Sequence, residues 1–337
     1  MKNKEISSLT NPELKFLISL RKNKIRRLEK KSLAEGYREN IQLINSDYDI
    51  DTLYICNELF VGENNSELIE KFKNKNVRIV ELTKKVFSAL SYRDKPDGLI
   101  SLFFTKDLNI ENVDLSGPVL VADAIEKPGN LGTMIRTARA FNFLNIISSD
   151  GVTDIYNPNV VRASIGHIFN INLFSEKSEK IATILKNLNY EIISLDPYSK
   201  KSIKSYKTNI NYALVIGSEQ YGISDVWKEN ATEMLKIDSE IQVDSLNASG
   251  AAAIGMWELY KNHDWKIMYI GYRNNRFWPE NSEILEIYIL KVADNEIIDE
   301  FYSLFKPNQK IENSNIHGIT DEKVENAPTF QEMDNEI

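Results

Sequence analysis

The chain has 337 residues, 42% apolar and 27% charged, which excludes a disordered or collagen-like polymer and leaves room for two or three domains. No apolar run approaches the roughly 20 residues of a membrane span, the first residues lack the apolar stretch of a secretory signal, and one cysteine, Cys56, allows neither an internal disulfide nor a Cys-based zinc site. The net charge of −8 is uneven: residues 1–40 hold 11 Lys/Arg against 5 Asp/Glu, and residues 264–337 hold 7 against 15. A cytoplasmic protein that meets a polyanion through its N-terminal part is the expectation.

In chain order, Asn11-Pro12 offers a helix cap followed by a proline suited to the first turn. Leu14, Leu17, Ile18, Ile25 and Leu28 keep helical spacing, with Arg21, Lys22, Arg26 and Arg27 among the cations between them. This predicts one apolar stripe and a cationic face, either a solvated surface or the candidate contact for a polyanion. Strands are expected at 52–56, 77–81 and 99–104, with a helix near 68–72, making a small α/β domain over 1–105. Residues 106–117 are polar and weakly patterned and read as a linker.

From 118 to 263 strands and helices alternate. The run Val119–Ala122 suits a strand buried on both faces. Helix 132–141, strand 144–147, helix 181–188, strands 191–195, 213–216 and 234–237, and helix 247–260 follow. Such alternation predicts a mostly parallel sheet covered by helices, with ligands in the loops at the carboxyl ends of the strands. Three loops there carry unusual residues: Asn130, Gly132 and Arg136; Gly217, Glu219 and Gly222; and Ser245, Leu246, Asn247 and Ser249. Glycine lets a backbone approach a ligand closely. No dinucleotide-type Gly-x-Gly-x-x-Gly follows the first strand of this region. The three histidines, His167, His263 and His317, form no ligand spacing, so no metal is expected.

These loops resemble the three motifs of the SpoU/TrmH family, RNA ribose 2′-O-methyltransferases of the SPOUT class: Asn-x-Gly-x-x-x-Arg, Gly-x-Glu-x-x-Gly and Ser-Leu-Asn-x-Ser. The stretch 157–166 resembles the family as well. Ala34-Glu35-Gly36 is similar to the L30e-like RNA-binding domain that many members carry first. The resemblance implies an L30e-like α/β domain followed by a trefoil-knotted SPOUT α/β domain, a homodimer, and S-adenosyl-L-methionine as cofactor. It implies cofactor contacts at Ile216, Gly217, Gly222, Ile237 and Leu246, and a site formed by Arg136, Asn130, Glu219, Ser245 and Asn247. Arg136 takes the place of the family's catalytic arginine. A guanidinium does not readily give up its proton, so its expected work is to favour the alkoxide developing on a ribose 2′-hydroxyl. Arg162 is expected on RNA phosphate or in a partner's site. Asn247 reads equally as the cap of the last helix.

The expected target is 23S rRNA, with tRNA as the alternative. The third motif region departs from the family, with Ile237-Asp238-Ser239 for Ile-Pro-Met and Ile241 for a glycine. A non-catalytic RNA-binding protein of the same fold therefore stays open. Residues 264–337 read as a β-containing appendage with a hairpin near 284–301. Ile316-His317-Gly318-Ile319-Thr320 resembles the start of a DEDD-type proofreading exonuclease domain. Two-metal nuclease chemistry needs clustered carboxylates, and 271–276 has none; this piece is expected to be a truncated, inactive fragment.

Overall fold

In the computed structural model, which describes residues 5–62, 65–110, 115–208, 211–239, 246–262, 267–274, 284–293, 296–307, 311 and 319–329, the basic stretch forms two helices rather than one. Helix α1 (Pro12–Ser19) starts as expected, with Asn11 Oδ1 accepting from Glu13 N at 2.8 Å. Helix α2 (Asn23–Glu29) follows a break at 20–22 and ends at Lys30, whose φ of +50° is left-handed. The break turns the second half of the expected stripe. Leu28 is 73% exposed, whereas Arg26 points inward and is buried.

The first half of the chain builds a five-stranded sheet from β1 (Glu5–Ile6), β2 (Lys31–Glu35), β3 (Ile50–Ile55), β4 (Arg78–Leu82) and β5 (Leu99–Phe104), in the order β1-β4-β3-β5-β2. Helices α3 (Tyr37–Ile44), α4 (Asn65–Asn74) and α5 (Lys84–Leu90) complete this half. Glu35 is buried and held by Ser91 Oγ and by Tyr92 N at 2.7 Å; Gly36 takes φ +117°, which favours glycine. The Glu-Gly pair is thus a structural bracket between β2 and the end of α5.

The second half is a seven-stranded, wholly parallel sheet. Its strands are β6 (Val119–Asp123), β7 (Asn145–Ser149), β8 (Asn172–Glu176), β9 (Glu191–Leu195), β10 (Lys201–Ser202), β11 (Tyr212–Ile216) and β12 (Glu233–Lys236), ordered β10-β12-β9-β11-β6-β7-β8. Around them lie α6 (Pro128–Ala140), α7 (Pro158–Ala163), α8 (Ser178–Asn187), α9 (Asp225–Asn230) and α10 (Ala248–Asn262). Strands β6 and β11 are buried at every position, as apolar runs in a doubly covered sheet must be.

The expected linker is not loose where it is described. Ile110 and Leu115 are buried against the core beside β6 and α8, and Leu108 O accepts from Ser175 N at 2.9 Å. Residues up to His263 form one compact unit. Four rings from both halves, Tyr48, Phe103, Tyr156 and Phe169, meet edge to face with centroids 5.0–6.3 Å apart. A single hydrophobic core therefore runs from Ala34 and Leu43 through to Met256.

Residues 264–337 form a second unit. Strands β13 (Ile267–Asn274), β14 (Ile284–Ala293) and β15 (Glu296–Leu304) make an antiparallel meander, with helix α11 (Asp321–Val324) further on. The expected hairpin is β14–β15; its turn residues Asp294 and Asn295, and with them His263, His317 and Ile241, lie outside the described residues. No described helix is long and apolar enough to cross a membrane.

Candidate active site

Because the large sheet is parallel throughout, all its strands deliver their carboxyl ends to one edge. There β6 leads through a short loop into α6, and β11 leads into residues 217–222. Asn130, in the first turn of α6, donates through Nδ2 to Glu219 Oε1. Asn247 donates through Nδ2 to Asn130 Oδ1 at 3.2 Å. One residue from each of the three loops is thus joined in a hydrogen-bonded chain. Asn247 also caps α10, its Oδ1 accepting from Ser249 N at 3.0 Å and Ser249 Oγ at 2.6 Å, so both readings of it hold together.

Gly217 has no room for a side chain: a Cβ would lie 2.2 Å from the carbonyl carbon and oxygen of Gly222. Ser218 and Gly222 exchange both backbone hydrogen bonds at 3.0 Å, and Gly222 sits at φ +68°. This tight turn aims Tyr221, 77% exposed, into solvent. Ile216 is buried at the end of β11, Ile237 packs on the core after β12, and Leu246 is exposed before α10. Ser245 lies outside the described residues.

Glu219 Oε2 and Asp123 Oδ1, buried carboxyl oxygens at this edge, have no hydrogen-bond partner among the described residues. Asp123 ends β6, and its Oδ2 accepts from Ser224 N at 2.9 Å. Burial pushes its carboxyl above the ordinary aspartate range, while the hydrogen bonds from Ser224 oppose that rise. Asp123 and Tyr221 went unnoticed in the sequence. A position at the carboxyl end of a buried strand was the signal available for Asp123.

Arg136 is not brought into the hydrogen-bonded chain. It lies six residues beyond Asn130 on α6, about 9 Å along the axis and roughly a third of a turn away. It is exposed, and its charge reaches His167, whose imidazole is held below its usual range by burial and then by Arg139 and Arg136. Among the described residues no group of His, Cys, Asp and Glu is arranged to hold a metal.

The expected RNA-contacting cations divide sharply. Arg26 is corrected: only 3% exposed, it pairs with Asp154 at 2.5 Å and donates to the carbonyls of Leu20 and Arg21, so no phosphate can reach it. Arg21 donates to the carbonyls of Ala89, Leu90 and Ser91 at the end of α5 and lies over the Tyr92 ring. Arg162 donates to Tyr92 O at 3.2 Å. Lys22 and Arg27 are exposed, with no ion-pair partner among the described residues.

Residues 117–257 match the SpoU rRNA Methylase family, and residues 11–101 match the MRM3-like substrate binding domain. The chain is similar to the 23S rRNA (guanosine(2553)-2′-O)-methyltransferase of Bacillus subtilis, at 25% identity over 76% of this chain and 99% of that protein. It is also similar to a 23S rRNA (adenosine(1067)-2′-O)-methyltransferase of Streptomyces azureus, at 29% identity over 42% of this chain and 54% of that one. The fold superposes on a crystal structure of an RNA 2′-O ribose methyltransferase with a TM-score of 0.68, at 26% identity over 77% of this chain and 98% of the other. Neither family match extends into 264–337, and the expected likeness to an exonuclease finds no support.

Proposed function

We propose, from the match of residues 117–257 to the SpoU rRNA Methylase family, that this chain transfers a methyl group from S-adenosylmethionine to a ribose 2′-hydroxyl of RNA, with 23S rRNA as the target. The hydrogen-bonded chain Asn247–Asn130–Glu219 carries this reading, because it unites all three loops at the ligand-binding edge of the sheet. Residues 1–105 take the role of RNA recognition, 106–117 of connection and 118–263 of catalysis; no catalytic step is assigned to 264–337. We assign the work to the cytoplasm, a reading that an rRNA substrate supports.

The residues present fit the cofactor. Glu219 Oε2 offers a buried acceptor, without a partner among the described residues, to a hydroxyl or ammonium donor. Gly222 has open space where a side chain would stand, which leaves that side of the 217–222 turn clear for a ligand. Ile216, Gly217, Gly222, Ile237 and Leu246 are the residues that would hold it, and when bound it supplies a methyl group on a cationic sulfur. The protein's own task is to ready the ribose oxygen. A guanidinium stabilises a developing alkoxide without taking its proton, and Arg136 is assigned that role. Asn130, positioned by Glu219, and Asn247, bonded to Asn130, orient the sugar, and Ser245 is assigned to the same task. Phe141, the residue that caps the end of α6, packs its ring with the exposed Trp257 and Tyr260 of α10. We assign this aromatic face to a second copy of the chain, which sedimentation at micromolar concentration tests: a monomer removes the dimer.

The deciding experiment is transfer of labelled methyl to protein-free 23S rRNA, with the modified ribose mapped. Arg136→Ala is expected to lower kcat by about a hundredfold or more with cofactor binding kept. Cofactor-independent RNA binding with no transfer to 23S rRNA or tRNA would instead identify a binding protein.

A further inference from the structure

We propose that the groove at the seam between the two halves of the first unit holds the RNA backbone, with Arg27 and Lys30 as the phosphate-binding pair. This rests on the RNA reading above and names where that substrate is gripped. The groove is a cavity of about 310 Å³ lined by Arg27, Lys30 and Lys106 from the first half and the end of β5, and by Gly151, Thr153 and Asp154 from the loop after β7.

Three observations fix its chemistry. First, α2 cannot rotate. Arg26 is locked inward by Asp154 and two carbonyls, so Arg27, about 100° further round the helix, is turned out to the groove. Lys30 is set by the left-handed end of α2, where its carbonyl accepts from Thr105 N at 2.9 Å. Both are exposed and have no ion-pair partner among the described residues.

Second, the lining is cationic in balance. Asp154 is neutralised by Arg26, and Lys106 is bonded to Asp47 and lies over the Tyr48 ring, so Asp107 is left to set against Arg27 and Lys30. The balance is one positive charge, shared by Arg27 and Lys30, in a protein whose overall charge is −8. A phosphodiester suits such a surplus, because it carries one negative charge and accepting oxygens.

Third, the groove adjoins the methyl-transfer site. Thr153 Oγ1 donates to Glu126 O at 2.6 Å, tying the groove wall to the loop that leads to Asn130. The two loops leave adjacent strands, paired Asp123 to Ser149, about 4.8 Å apart.

The test measures binding of the full-length protein to protein-free 23S rRNA across a potassium chloride series, together with steady-state methyl transfer. Each phosphate contact contributes about 0.7–0.9 to the slope of log affinity against log salt. Arg27→Ala with Lys30→Ala is expected to reduce that slope by about 1.5 and to raise KM for RNA at least tenfold, with kcat, cofactor affinity and melting temperature unchanged. Arg27→Lys with Lys30→Arg is expected to keep the slope. The charge-matched Lys84→Ala with Lys85→Ala, on α5, is expected to keep both slope and KM. An unchanged slope in the groove variant, or an equal loss in the α5 variant, overturns the proposal, and methyl transfer by all variants then leaves the functional reading standing. A wild-type protein that neither binds nor methylates RNA overturns both.

Discussion

Glu219 spends one carboxylate oxygen on Asn130 and keeps the other buried, with no partner among the described residues. The pair works as a unit. Asn130→Ala and Glu219→Ala are each expected to lower kcat/KM by about ten- to a thousandfold. The double variant is expected to fall little below the worse single one, because residues in one network do not add. Independent, multiplicative losses in the methyl-transfer assay would separate the two residues. Both were legible as motif members, whereas the link between them was not: it joins positions 89 residues apart. Arg26 and Arg27 make the same point more sharply. They are adjacent and chemically identical, and only the fold buries one and exposes the other.

Helices and strands were legible where their burial is uniform. The apolar runs of β6 and β11 were evident because parallel strands covered on both faces admit few polar residues. Strand β2 was hidden because Ser32 and Glu35 are polar. Their burial depends on partners elsewhere in the chain, Ser32 Oγ donating to Tyr156 O and Glu35 accepting from Ser91 and Tyr92. Strand β8, at the edge of its sheet, lacked the continuous apolar run that marks the central strands. Helix α6 shows how a motif glycine can serve packing. A Cβ on Gly132 would lie 2.5 Å from Ala163 Cβ and 2.6 Å from Val160 O, on α7. Gly132→Ala is therefore expected to destabilise the protein by about 1–3 kcal/mol despite alanine's better helix propensity. Urea unfolding checks this: a lower midpoint at unchanged slope is the expected outcome, and an unchanged or higher midpoint refutes the packing role.

At the scale of the whole molecule, the pairing of Arg26 with Asp154 spans 128 residues and clamps α2 to the loop after β7. Removing one partner strands the other, and Asp154 is only 10% exposed. Arg26→Ala is expected to cost about 3–5 kcal/mol, and Arg26→Met with Asp154→Leu to recover most of it. Chemical denaturation of the three proteins decides, and a single variant as stable as wild type would remove the clamp from the account. The basic N-terminus was plain from charge counting; that part of its charge is consumed internally was not, since the acidic partner lies so far along the chain.

The ring cluster of Tyr48, Phe103, Tyr156 and Phe169 carries one consequence further. Two bodies welded through interlocking aromatic edges cannot swivel on a tether, so the span between where RNA is grasped and where a sugar is altered is constant. Under the function proposed above, such a protein would select its nucleotide as a caliper with fixed jaws does, by the distance between two points on a folded RNA. Lengthening the connecting segment would leave that measure untouched, whereas shaving a single ring from the weld would blur it.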